Sequence, residues 1–149
     1  MNSQPPHSLH KQMAIDLFNH TWSLMDKPER TQQEIDEMIH AAHASRYHWG
    51  IAGEALQRQR GEWQISRMYA LLERSEPCLY HARRCLEITL ENAIDDFDLA
   101  FAYEAMARAC SLLEMDADTR QYRGLALTAA ETIGDEEDRR YFLEELESI

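Results

Sequence analysis

The chain has 149 residues, 44% of them hydrophobic, with five glycines and four prolines: one helix-rich domain by length, with enough apolar material for a continuous core. A formal charge of −12 argues against bulk binding to nucleic acid or to an anionic membrane, because phosphate contacts need a basic surface, and no apolar run approaches the ~18 residues of a membrane span. Three cysteines, an odd number without paired spacing, point to a reducing, cytoplasmic compartment.

In chain order, residues 1–7 carry Pro5 and Pro6 and no apolar stretch, and read as a flexible tail rather than a signal peptide. A first helix is predicted over about 8–26, where Ile15, Phe18, Trp22 and Met25 recur at spacings of three and four and make one apolar face. Residues 27–30, with Pro28, form a turn. Thr31 and Glu34 have the spacing of a capping box, opening a second helix whose core face is Ile35, Met38, Ile39, Ala42 and Trp49; Gly50 and Gly53 end it. The third helix, about 54–73, contains Gly61. A mid-helix glycine costs ~1 kcal/mol relative to alanine, so Gly61 and the equivalent Ala102 are expected where neighbouring helices approach closely. The fourth, about 77–92, accepts Pro77 in its first turn and buries Cys78, Ala82, Cys85, Leu86 and Thr89. Cys78 and Cys85 lie two turns apart, roughly 10 Å, too far for a disulfide.

Asp96 is the expected N-cap of a fifth helix, about 97–114. Its apolar residues (Phe97, Leu99, Phe101, Ala102, Met106, Ala109, Leu113) lie on more than one side, as in a helix sandwiched between two others. Asp116 is the expected cap of the sixth helix, and Gly134 is expected to end it in the left-handed conformation. Asp135 caps a seventh, about 136–148. Its Tyr141, Phe142, Leu143, Leu146 and Ile149 are expected to dock on the sixth helix, with the charges toward water.

The middle of the chain is one unit written twice. Ser66-Arg67-Met68-Tyr69-Ala70-Leu71-Leu72-Glu73 aligns with Ala107-Arg108-Ala109-Cys110-Ser111-Leu112-Leu113-Glu114 at an offset of 41 residues. Repeated helical hairpins bury by stacking the faces that one hairpin cannot bury alone. With Ile65, Tyr69 and Leu72 as large residues, Cys78 and Cys85 as small ones, and Met106, Ala107, Leu113 and Ala126 in the next unit, the chain resembles the tetratricopeptide repeats. Among these it is similar to small bacterial proteins of the TPR-like kind. The unit is longer than that family's roughly 34 residues, and Glu73 and Glu114 replace the usual turn glycine. The resemblance implies an all-α, right-handed superhelical stack of antiparallel helical hairpins with six to seven helices. The hairpins fall at about 8–49, 54–92 and 97–134, with a capping helix at 135–149, in a single domain.

It also implies a role: a protein- or peptide-binding module whose first-type helices line a concave groove. Residue by residue, the groove positions are His20, Arg67 and Arg108 in one row, Asp16, Trp63 and Glu104 in a second, and Arg60 and Phe101 in a third. Arginine offers a rigid fork of donors suited to a carboxylate, and Trp63 and Phe101 offer apolar pockets beside it. Two readings of Arg67 and Arg108 stay open. Either they meet a ligand, some 20 Å apart along an extended peptide if helices sit ~10 Å apart, or they staple the stack by pairing with carboxylates such as Glu73 and Glu104. A homo-oligomer is compatible with either.

An alternative function rests on the second helix. Asp36, His40, His43 and Tyr47 fall on one face at 100° per residue. Asp36, His40 and His43, joined by His20, have the ligand types of a divalent-metal site or a metal-dependent enzyme. The bland reading is a polar seam of hydrogen-bonded histidines, since no HExxH signature is present. No nucleophile-elbow, Walker or dinucleotide motif occurs. The sequence therefore establishes no enzyme and implies no cofactor.

Overall fold

The computed structural model describes residues 5–149; residues 1–4 of the expected tail lie outside that range. Among the described residues the chain is all-α, with seven helices and no strand. They are α1 (His7–Met25), α2 (Gln32–Ala52), α3 (Ala55–Leu71), α4 (Ser75–Glu91), α5 (Asp96–Leu112), α6 (Asp116–Ala130) and α7 (Glu136–Glu147). None is long and apolar enough to cross a membrane.

The helices pair as hairpins, α1 on α2, α3 on α4 and α5 on α6, and each hairpin stacks on the next through α2–α3 and α4–α5 contacts. Contacts of α3 with α1 and α5, and of α5 with α7, put α1, α3, α5 and α7 in one inner layer. The last helix thus docks on α5 as well as α6, where the sequence pointed to α6 alone. Phe142 is fully buried there, packed edge-on against Phe101 at a centroid distance of 4.9 Å.

Local signals explain most of the boundaries. Thr31 and Glu34 form the reciprocal capping box at the start of α2, and the Asp135 side chain accepts from the Asp138 N–H at the start of α7; such caps are worth about 1 kcal/mol each. Gly61 is a point of close approach. A Cβ there would lie 3.0 Å from Arg46 Cδ on α2. Ala102 is likewise fully buried.

The 41-residue repeat is exact in the backbone of its turns. After α3, Glu73 takes a φ of 56° and the Arg74 N–H bonds back to the Tyr69 carbonyl at 2.9 Å. After α5, Glu114 takes a φ of 56° and the Met115 N–H bonds back to Cys110 at 3.0 Å. Both are left-handed helix stops made by a residue with a Cβ, where glycine would carry no steric cost.

Four expected stops and starts differ. Gly50 lies inside α2, which runs on to Ala52 with Gly53 alone as its C-cap. Gly134 is not left-handed, since no described glycine has a positive φ. Helix α6 ends earlier, at Ala130, and the Gly134 N–H donates to Asp96 Oδ2 at 3.2 Å. Asp96 does not act as a conventional N-cap. It sits at a φ of 57° with its Oδ1 accepting from Phe97 N–H, so its carboxylate ties the start of α5 to the segment after α6. Asp116 lies inside the first turn of α6 behind Met115, where it serves the helix dipole rather than a cap bond.

Candidate binding site on the inner layer

Glu104, from the middle of α5, is 1% exposed. A carboxylate so buried needs donors, and three converge on it: Arg67 Nη1 at 3.1 Å and Arg108 Nε at 2.8 Å on Oε1, and Trp63 Nε1 at 3.3 Å on Oε2. Helix α7 completes the cluster. Arg67 Nη2 donates to the Glu145 carboxylate, while Arg108 Nη2 donates to the Glu145 carbonyl at 3.0 Å and to Ser148 Oγ at 2.8 Å. Two cations and two anions thus close this end of the inner layer, and the two guanidinium groups keep side-chain exposures of only 18% and 15%.

This overturns the expected ~20 Å separation of the two arginines: they share one carboxylate oxygen. Their partners are Glu104 and Glu145, not Glu73, because α7, docked on α5 and α6, puts Glu145 within reach of the Arg67 side chain. His20 does not join the row. It is exposed and pairs with Glu37 on α2 at 3.1 Å. Asp16 accepts from Gln12 on its own helix.

Arg60, Trp63 and Phe101 lie at the other end, and there the layer is open. They line a pocket of about 430 Å³ with Phe18, Trp22, Gln59, Phe97, Asp98, Asp138 and Tyr141, a volume within the range of small-ligand sites. All four inner helices contribute. The aromatic rings form a connected wall, Trp22–Trp63 at 5.8 Å, Trp63–Phe101 at 5.5 Å, Phe97–Phe101 at 4.6 Å and Phe101–Tyr141 at 5.9 Å between centroids. Arg60 grips Asp98 in a two-point pair, Nε–Oδ1 and Nη2–Oδ2 both 2.9 Å, which raises the Arg60 pKa still further. Gln59 is held by Nε2 bonds to Thr89 Oγ1 at 3.1 Å and the Asp98 carbonyl at 3.0 Å, leaving its buried Oε1 without a partner. Burial pushes the Tyr141 phenol above its ordinary value, and the nearby charges of Glu145, Glu104 and Asp26 add to this against Arg67.

Phe18 and Trp22 read in the sequence as core-facing, and Phe97, Asp98, Asp138 and Tyr141 carried no signal of a site. One clue was present. Trp22 precedes Trp63 by the same 41 residues that separate Trp63 from Glu104, so Trp22 belongs to the inner row.

The His/Asp face of α2 is dispersed. His20 bonds Glu37, Asp36 accepts from Gln32 at 3.0 Å, and His40 is exposed. His43 bonds the Tyr69 hydroxyl at 2.8 Å and packs edge-on against His81, which in turn meets Glu62 at 2.6 Å. Glu62 also accepts from Arg46 at 3.1 Å. Burial, then the His81 charge, lowers the His43 pKa. Among the described residues no three His, Cys, Asp or Glu side chains gather as a metal-holding group. The arrangement is that of a hydrogen-bonded seam between α2, α3 and α4.

No family model matches the chain, and no curated protein or solved structure is significantly similar to it.

Proposed function

We propose that the protein is a TPR-like interaction module of the cytoplasm that binds a peptide or a peptide segment of another protein on its inner layer. The aromatic pocket between α1, α3, α5 and α7 is the anchor point. The observation that carries this reading is the pocket itself: five phenylalanine and tryptophan residues, with Tyr141, line an open cavity at the edge of the core. Rigid aromatic side chains around a concave site are the usual sources of binding energy at an interface. Arg67 and Arg108, committed to Glu104 and α7, hold the wall in place, and contact with a ligand falls to Arg60, Trp63 and Phe101. A reducing compartment fits three cysteines that are all free and buried.

An array of immobilised random heptapeptides probed with the wild-type protein and with Tyr141→Arg tests this. Tyr141 is exposed, so the substitution fills the pocket mouth without opening the core. A set of peptides held by the wild type and lost with Tyr141→Arg is the expected result. An unchanged set overturns the assignment.

A further inference from the structure

Resting on that binding role, we infer that the pocket receives a cationic side chain of the bound peptide, an arginine. Aromatic faces carry the negative side of a quadrupole and attract a cation held within about 6 Å of the ring centre. The pocket already shows that geometry from behind: the Arg67 guanidinium carbon lies 5.9 Å from the Trp63 ring centroid, with its charge taken up by Glu104 and Glu145. Inside the pocket no cation is left over. Arg60, the one cationic lining residue, is spoken for by both oxygens of Asp98. Asp138 is then the surplus charge of the lining. It sits exposed on the first turn of α7, and its carboxylate makes no ion pair among the described residues.

The wider field has the same sign. An acidic peptide side chain would meet Asp138 and a protein of net charge −12, while a basic peptide is drawn in by the same field. Arginine suits the site better than lysine because its planar guanidinium stacks flat on aromatic rings and is weakly hydrated.

The test uses four pools of acetylated, amidated heptapeptides with degenerate uncharged flanks and the central residue fixed as arginine, citrulline, norleucine or glutamate. Binding is followed by the fluorescence of Trp22 and Trp63. Citrulline keeps the shape of arginine and removes its charge. The expected result is that the arginine pool binds about tenfold tighter than the citrulline pool. In Asp138→Asn that ratio should shrink to about threefold, with the norleucine pool unaffected. Equal binding of the arginine and citrulline pools, or the tightest binding by norleucine or glutamate, overturns the cationic anchor and leaves the binding role standing. No response from any pool overturns both.

Discussion

Each end of the inner layer draws on matching positions of the two repeats, and the two ends have opposite characters. At 41-residue spacing, Arg60 corresponds to Phe101, Trp63 to Glu104 and Arg67 to Arg108. Around Glu104 every charge has a partner and α7 seals the cluster. Around Trp22 and Trp63 the same layer leaves a cavity with one ion pair at its rim. The repeat determines where a side chain points, while the residue type and the curvature of the stack decide whether that point becomes a staple or an opening.

The sharpest way to break this comparison is Glu104→Ala. It leaves two largely buried guanidinium groups with Glu145 as their one remaining anion and should cost about 3 kcal/mol in urea denaturation. Arg67→Ala and Arg108→Ala should each cost less, about 2 kcal/mol, because one cation stays on Glu104, and a double-mutant cycle with Glu104 should show coupling. A loss below about 1 kcal/mol for Glu104→Ala would contradict the closed-end assignment.

A second pair of variants checks the repeat where its two copies agree. Glu73→Gly and Glu114→Gly each relieve a left-handed residue and should raise stability by about 0.5–1 kcal/mol, by similar amounts in the two units. Unequal gains would show that the matching turns are under different strain.

Arg60→Ala probes the open end. Its pair lies at the pocket rim, with the arginine side chain 52% exposed and Asp98 14% exposed, so stability should fall by about 1 kcal/mol. A melting temperature close to that of the wild type, beside a large drop for Arg67→Ala, would sharpen the distinction between rim and staple.

The smallest effect concerns pH and belongs to one hairpin only, since Cys110 stands where Tyr69 meets His43 in the other copy. His43 has a lowered pKa. As pH falls below the ordinary histidine value of about 6.5, the unfolded chain takes a proton there that the folded protein resists. Stability is therefore undiminished by this group above that pH and is lost below it. His48, lowered by burial and by His10 at 2.8 Å, acts with the same sign. Urea midpoints measured between pH 7 and 5 should fall, and fall less steeply in His43→Gln; identical slopes would remove His43 as a source of the loss.

The sequence by itself determined the elements whose causes are local. Helix periodicity, the Thr31–Glu34 box, the Asp135 cap and the 41-residue repeat all act within a few turns of chain, and each is present in the fold. The expected left-handed Gly134 failed because Asp96, 38 residues away, supplies the hydrogen bond for that segment. Tertiary structure alone decided the site. The sharing of Glu104 by Arg67 and Arg108, the reach of Arg67 to Glu145 on α7, and the meeting of Phe18 and Trp22 with Tyr141 all depend on how tightly the hairpins curve. That curvature is the sum of side-chain volumes at every helix contact, a non-local quantity that no stretch of the sequence carries.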